Sequence, residues 1–308
     1  MSATVSIVVT VYNKAPYLPP VLRSLAAQEG NFSWEYIFVN DGSSDNSVAV
    51  IHDMTAGWPN VKIITQKNQG PASATNTGIE AATGEYVKLL DADDVLHPQA
   101  VLRLLTVLAK YPEAVAAFAA IGGVTSNDVV ESFTAPRLPI GTGERIYTNP
   151  LPRIFKNHLF NPSQVLVRRT ALQACEGCDP APEVAFIQDY TLNLRLARLG
   201  AFIELDDILV HATPIVEGRV SGNRARELGN LNRALASFLR QFPSTSGRLQ
   251  SYAVRHAAGR ALRWSRRINK RWWLFDPAFW RQVRSLFPIK DAPRFIEATT
   301  VVFQEKPR

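Results

Sequence analysis

What most constrains the fold of this chain is a repeated change of period across its first 120 residues. Val5–Thr10 is an apolar, β-branched run, and Ala15–Gln28 then places Leu18, Val21, Leu22 and Leu25 at helical spacing. Tyr36–Val39 is a second short apolar run, followed by the turn Asp41-Gly42-Ser43-Ser44 and a helical stretch to about Met54. Val61–Ile64 and Tyr86–Leu90 continue the series with Ala72–Ala82 helical between them, and His97–Lys110 and Ala114–Ala119 add another helix and strand. Strand–helix–strand repetition implies an α/β fold whose mainly parallel sheet is covered by helices, with right-handed crossovers. Ligands of such sheets collect beyond the C-terminal ends of the strands. The residues that follow each strand therefore carry the functional question.

Further on the pattern loosens. The Gly and Pro density of Ile121–Pro150 suits loops and short hairpins at a rim. Gln164–Val167 and Ala201–Val210 read as strands and Ile187–Leu199 as a helix; from Asn223 the pattern is helical, interrupted at Pro243, Pro277 and Pro288. The expected division is a catalytic domain over 1–222 and a helical C-terminal region over 223–308.

A chain of 308 residues with 46% hydrophobic content sustains one large core plus such an addition, which excludes global disorder. No stretch approaches the roughly 18 consecutive apolar residues of a membrane-spanning helix. Val5–Val11 lacks a basic leader and a small-residue cleavage site, so it reads as a buried first strand rather than a signal peptide. Cys175 and Cys178, in C-E-G-C, cannot complete a structural zinc site and are expected to be free thiols in a reducing cytoplasm.

The strand ends are polar and acidic. In order they read Thr10-Val11-Tyr12-Asn13, Asn40-Asp41-Gly42-Ser43-Ser44, Asn68-Gln69-Gly70 and Asp91-Ala92-Asp93-Asp94. Three carboxylates within four residues repel one another: at an effective dielectric near 20, two unit charges about 4 Å apart cost about 4 kcal/mol. A divalent cation removes that penalty, and oxygen-only ligands favour Mg²⁺ or Mn²⁺ over zinc. Helix capping offers a simpler account of one of these aspartates, since Asp93 or Asp94 precedes a helical stretch, but it explains three poorly.

Ser6-Ile-Val-Val-Thr10-Val-Tyr12-Asn13, Val39-Asn-Asp41-Gly-Ser-Ser-Asp45, Asn68-Gln-Gly70, Gly84-Glu-Tyr and Asp91-Ala-Asp93-Asp94 resemble, in order, the motifs of family 2 glycosyltransferases. The resemblance covers residues 4 to about 222 and implies a GT-A (Rossmann-like) fold. It implies a donor-nucleotide site at Thr10, Tyr12, Asn13, Asp41, Asn68, Gly70, Asn76, Asp91 and Ala92. In that site Tyr12 stacks on the nucleobase and Asp41 accepts its ring N–H. Asp93 is implied as the metal ligand, with Asp91 and Asp94 as further contacts, and the implied cofactor is Mn²⁺ or Mg²⁺. The arginine that the family commonly sets before Asn76 is Thr75 here, which removes one cationic donor contact; Lys67 is a candidate substitute.

Downstream, Ile187-Gln188-Asp189-Tyr190 resembles the acidic motif that holds the family's catalytic base, with Gln188 where a glutamate is common. Asp189 is the implied base, and the alternative is an aspartate favoured by a helix N-terminus. His211 and Arg219 lie where relatives place diphosphate contacts, while a core or rim role suits them equally. The implied reaction is a single inverting displacement, in which sugar passes from a nucleoside diphosphate, UDP by resemblance, to an acceptor hydroxyl in bacterial surface glycan synthesis. Two rivals stand beside it. A sugar-nucleotide-forming nucleotidyltransferase usually carries a Gly-rich basic loop after its first strand, which Thr10–Pro16 lacks. A non-catalytic nucleotide- or sugar-binding module is kept open by Gln188 and Thr75.

Charge is uneven along the chain. Residues 224–308 hold 18 Lys+Arg against 5 Asp+Glu, whereas residues 1–223 hold 16 against 22, within an overall charge of +7. Between Tyr252 and Trp273, Val254, Ala257, Ala258, Ala261, Trp264, Ile268 and Trp272 share one helical face, and Arg255, Arg263, Arg266, Arg267, Lys270 and Arg271 fall mostly elsewhere. Such a stretch suits an anionic membrane surface, which would put a cytoplasmic enzyme peripherally on the inner face beside a lipid-linked acceptor. A helix packing its tryptophans on the catalytic domain, with its arginines solvated, fits nearly as well. Nucleic acid is not an expected partner, because no reading motif accompanies the charge.

Overall fold

The computed structural model describes residues 4–123, 143–213, 224–268 and 276–303. The chain divides into two compact units. The first comprises 1–150, 160–178 and 195–218; the second joins 151–159 and 179–194 to 219–308.

The first unit is built on one sheet. Its strands are β1 (Thr4–Val11), β2 (Ser33–Asn40), β3 (Val61–Thr65), β4 (Tyr86–Asp91), β5 (Asp94–Leu96), β6 (Ala114–Gly123), β7 (Glu144–Tyr147), β8 (Val165–Arg168) and β9 (Ala201–Ala212). They run in the order β3-β2-β1-β4-β8-β6-β9-β5, with β7 also on β9. The β3-β2-β1-β4 block is parallel throughout, as the alternating periods require, and β6 is parallel to β9. Antiparallel pairings of β8 with β4 and β6, and of β5 and β7 with β9, make the remainder mixed.

Helices α1 (Leu18–Ala26), α2 (Ser47–Met54), α3 (Pro71–Ala81) and α4 (Ala100–Lys110) alternate with the early strands. The four apolar positions read in α1 are all buried, as are Val101, Leu104 and Leu108 of α4, in one core with Val5, Ile7, Val9 and Phe38. Both helices start later than their apolar period suggests. Pro19 and Pro20 form the first turn of α1, where a missing N–H costs nothing. Before α4 the chain is drawn into β5, where Asp94–Leu96 pair with Val210–Ala212. Gly84 is required at the foot of β4, since a Cβ there would stand 2.7 Å from the Ser6 nitrogen. Its own N–H donates to Ser6 Oγ.

The second unit is helical. Arg224–Gln241, Gly247–Ile268, Pro277–Arg284 and Ala292–Ala298 are its main helices, joined by Leu151–Ile154 and the opening of Gln188–Leu196. Val254, Ala257, Ala258 and Ala261 are buried, and Arg255, Arg263, Arg266 and Arg267 are exposed, as the amphipathic pattern anticipates. Trp264 packs on Phe303 of the same unit. Arg260 departs from the pattern: it is buried and donates to Asn232 Oδ1 and to the Phe155 carbonyl. Lys270, Arg271 and Trp272 lie outside the described residues.

Candidate active site

Register brings the motif residues of the first unit together. Thr10 stands opposite Val39 of β2 on one side and Asp91 of β4 on the other, and Asn40 stands opposite Val11 and Thr65. The four parallel strands therefore end on one edge, and Tyr12-Asn13, Asp41 and Ala92-Asp93 follow directly from it.

Two of these loops latch onto each other. Asn13 takes a positive φ of 52°, its Oδ1 accepts the Ser44 N–H at 2.8 Å, and its own N–H donates to Ser43 Oγ. The Lys14 N–H donates to Ser47 Oγ and the Ala15 N–H to Asp45 Oδ2, each at 2.9 Å. Burial raises the pKa of Asp45, but hydrogen bonds from Ser47 and Ala15 outweigh it and hold the carboxyl below its ordinary range. Tyr12, next to this latch in sequence, is 49% exposed.

Asp41 is buried and braces the third loop. Its Oδ1 accepts from Gln66 Nε2 at 2.8 Å and from the Gln69 N–H at 2.9 Å, and its Oδ2 accepts from the Gly70 N–H at 2.9 Å. An ionised carboxylate offers about four acceptor sites, so one direction on Oδ2 remains for a further donor. Gly70 adopts φ 87°, which L side chains rarely take, as it turns the chain into Pro71 at the start of α3. Asn68 and Lys67 are exposed on this loop and Thr75 is buried beneath it. Asn76 is placed differently: its Nδ2 donates to the Cys178 carbonyl and its Oδ1 accepts the Cys178 N–H, which engages both ends of the amide. Cys175 and Cys178 are buried free thiols, and burial pushes the Cys175 pKa up to about 11.

The acidic segment is counterbalanced by two lysines. Lys14 Nζ lies 2.7 Å from Asp93 Oδ2, both side chains being mostly buried. Lys88, in the apolar run of β4, is fully buried and donates to the Leu89 and Ser163 carbonyls. Burial pushes its pKa down to about 7, against the pull of Asp94 and Asp91. Ser163 Oγ also accepts the Asp91 N–H at 3.0 Å, so one serine holds the end of β4 through its carbonyl and its hydroxyl. Ala92 is buried, the Asp93 carbonyl accepts from Thr213 Oγ1, and Asp94 is buried in β5 opposite Ala212. His211 is buried in β9 opposite Val95, and burial and then the neighbouring His97 hold it below the ordinary imidazole value. Arg219 lies outside the described residues.

Among the described residues no three His, Cys, Asp or Glu side chains are grouped to hold a metal ion. Magnesium-like ions often use only one or two carboxylates, completing their shell with water and substrate phosphate. Asp93 meets that need, and the Lys14 ammonium already stands at its oxygen as a cation. The residues fit a divalent ion that arrives with a diphosphate, and they do not form a cage for one alone.

In the second unit, Asp189 lies in the first turn of Gln188–Leu196 with 22% of its side chain exposed. Its Oδ1 accepts the Tyr190 N–H at 2.7 Å, and its Oδ2 is 3.7 Å from His158 Nδ1. Burial raises its pKa, and the opposing influence of His158 is the next largest. No sequence signal marked His158, which is separated from Asp189 by 31 positions.

A sequence profile described as "Glycosyl transferase family 2" matches residues 6–173, more than half of the chain. The chain belongs to glycosyltransferase family 2. All four strand-end motifs fall inside the match, and Asp189, His211 and Arg219 lie beyond it. YibD of Escherichia coli K12, an uncharacterized glycosyltransferase, is 38% identical over 101 residues, covering 33% of this chain and 29% of YibD. The match thus spans less than a third of that relative. Among solved structures, S. aureus TarS 1–349 in complex with UDP superposes with a TM-score of 0.58 at 17% identity, covering 99% of this chain and 92% of that fragment. The mannosyltransferase PcManGT of Pyrobaculum calidifontis, in complex with GDP-Man and Mn²⁺, gives 0.55 at 18% identity, covering 98% and 86%. At such identities the likeness establishes the fold, which is that of the GT-A transferases.

Proposed function

We propose that this family 2 member is an inverting glycosyltransferase that moves a sugar from UDP to an acceptor hydroxyl in surface glycan synthesis. The observation that carries the reading is the register of Thr10 with Asp91, which sets the Tyr12, Asp41 and Asp93 loops on one sheet edge. The UDP and GDP-Man complexes of TarS and PcManGT support a nucleotide-sugar donor.

In this reading Tyr12 stacks on the base, and the remaining acceptor direction of Asp41 Oδ2 takes its ring N–H. Thr10, Asn13, Asn68, Gly70 and Ala92 line the nucleotide. Asn76, engaged once at each end of its amide by Cys178, keeps one N–H and one carbonyl lone pair for the donor. Asp91 orients the ribose or the donor sugar, and Asp93, with Asp91 and Asp94 as further contacts, would hold Mn²⁺ or Mg²⁺. When bound, the cation would supply charge neutralisation at the departing diphosphate. His211 and Arg219 contact the diphosphate, His211 as a neutral donor. Asp189 removes the proton from the acceptor hydroxyl, a task helped by a pKa held above the usual carboxylate value and worth about 10²–10⁴ in rate. The catalytic domain is 1–222, and 223–308 attaches the enzyme peripherally to an anionic membrane face near a lipid-linked acceptor.

The test is calorimetric titration with UDP in Mn²⁺ and then in EDTA, with Asp93→Ala alongside. Metal-dependent binding that the variant loses is the expected result. Absence of UDP binding in every condition would refute the donor assignment.

A further inference from the structure

Large exposed apolar side chains are ordinary when scattered and informative when clustered. Among the described residues, Trp280, Leu286 and Phe287 are 53%, 64% and 60% exposed and fall within eight consecutive positions. Their exposure comes from an ordered turn. The helix Pro277–Arg284 is capped at its start by Asp276, whose carboxylate accepts the Ala278 N–H. At its end the Ser285 N–H donates to the Arg281 carbonyl, the Leu286 N–H to Val283 and the Phe287 N–H to Arg284. Buried Ser285 returns its hydroxyl to the Gln282 carbonyl, and Arg284 Nη1 closes the turn on the Pro288 carbonyl at 2.9 Å. The backbone is thus satisfied locally while Leu286 and Phe287 point outward.

The segment that carries this tip is basic, with exposed Asp291 just beyond its end. From Pro277 to Lys290 there is no Asp or Glu, and Arg281, Arg284 and Lys290 flank the apolar trio. Arg284 and Lys290 are exposed. The long helix Gly247–Ile268, which packs against Pro277–Arg284, contains six arginines and no acidic residue. Aromatic and aliphatic side chains that enter the headgroup region, ringed by cations that meet lipid phosphate, are the chemistry of an interfacial anchor. No helix among the described residues is long and apolar enough to cross a membrane, so attachment would be from one side.

We propose that Trp280, Leu286 and Phe287, with Arg281, Arg284 and Lys290, form an insertion tip that docks this protein on an anionic lipid bilayer. The proposal rests on the peripheral-attachment part of the proposed function and assigns it to one turn. A basic rim argues against a second copy of this chain as the occupant, because the same rim would face itself.

The experiment is co-sedimentation of the full chain with phosphatidylcholine vesicles, with and without about one-third phosphatidylglycerol. Wild type should sediment with the anionic vesicles and far less with the neutral ones. The double variant Leu286→Ser/Phe287→Ser should lose about tenfold in partitioning, and Arg284→Glu/Lys290→Glu should abolish the preference for anionic lipid. Trp280→Ser, a smaller change, should reduce partitioning even if the double variant folds poorly. UDP binding and thermal melting serve as folding controls. Equal sedimentation of wild type and both apolar variants would overturn the tip while leaving attachment elsewhere in 223–308. Failure of wild type to bind any vesicle would overturn attachment as a whole. A dimer that the serine variants dissolve, without vesicle binding, would assign the tip to self-association and overturn the proposal. None of these outcomes touches the donor assignment, which UDP binding reports separately.

Discussion

Lys14 Nζ sits 2.7 Å from Asp93 Oδ2, so the carboxylate proposed to hold a metal ion already has a cationic partner from the protein itself. The three aspartates are flanked by two lysines: Lys14 faces Asp93, and the buried Lys88 lies near Asp91 and Asp94. On the proposed reading, a divalent ion held by Asp93 would compete with Lys14 for that oxygen, and a diphosphate bound with it would offer the ammonium another partner. Lys14→Met should therefore tighten Mn²⁺ binding in the absence of nucleotide by about three- to tenfold, the scale of one lost, mostly buried ion pair. Titration of free Mn²⁺ by electron paramagnetic resonance measures it. Unchanged or weaker Mn²⁺ binding would show that Lys14 does not compete for Asp93.

Asp189 should set the acid limb of the pH–rate profile. The proposed base would act only when ionised, and burial raises its pKa, so activity should fall at a higher pH than an ordinary carboxylate would dictate. His158 opposes that rise, so His158→Ala should move the acid limb further upward. Asp189→Asn should lower turnover about 10²–10⁴-fold and leave UDP binding intact. Profiles of kcat/KM against pH for wild type and His158→Ala decide the matter, and coincident acid limbs would remove His158 from any role at Asp189.

These relationships divide by what sequence can carry. Strand ends were legible because β1, β2 and β4 each contain a short, mainly apolar run stopped by a polar turn, and register then brings Thr10 beside Asp91. β5 and β7 were not legible, since three or four residues are too few to display a period, and both are strands only because β9 offers them a partner. Partnerships were equally hidden. Lys14 meets Asp93 across 79 positions, and Asn76 meets Cys178 across 102. The motif position of Asn76 was readable and its hydrogen-bond partner was not. Lys88 did leave a signal, a lysine inside the apolar run Tyr86–Leu90, because a buried ammonium needs carbonyls and nearby carboxylates to hold it.

On the proposed reading, Asp41 would couple nucleotide binding to the order of the 66–70 loop. Its carboxylate receives three donors, and Asp41→Asn would turn an NH₂ group toward one side of that N–H cluster. The variant should bind UDP at least about tenfold more weakly, given about 1.5–3 kcal/mol for a hydrogen bond to a charged group. It should also exchange the Gln69 and Gly70 amides faster. Hydrogen exchange read by mass spectrometry over 66–70 provides the check. Protection equal to wild type, with UDP affinity lost, would confine Asp41 to base contact alone.

Glu35 should govern acid stability of the first unit. Burial raises its pKa, but hydrogen bonds from Lys62, Ser6 and both the N–H and the hydroxyl of Thr83 prevail and lower it from 4.5 to about 2. Because the folded value lies below the unfolded one, the stabilisation is fully present above pH about 4.5 and is lost as pH falls toward 2. Each pKa unit corresponds to about 1.4 kcal/mol, so this shift bounds the cost of Glu35→Gln near neutral pH at about 3.5 kcal/mol. The substitution should also flatten the decline of stability between pH 4.5 and 2. Urea melts of both proteins across that range measure the slope, and parallel slopes would mean that Glu35 is not the group whose protonation loosens the β1–β2–β3 edge.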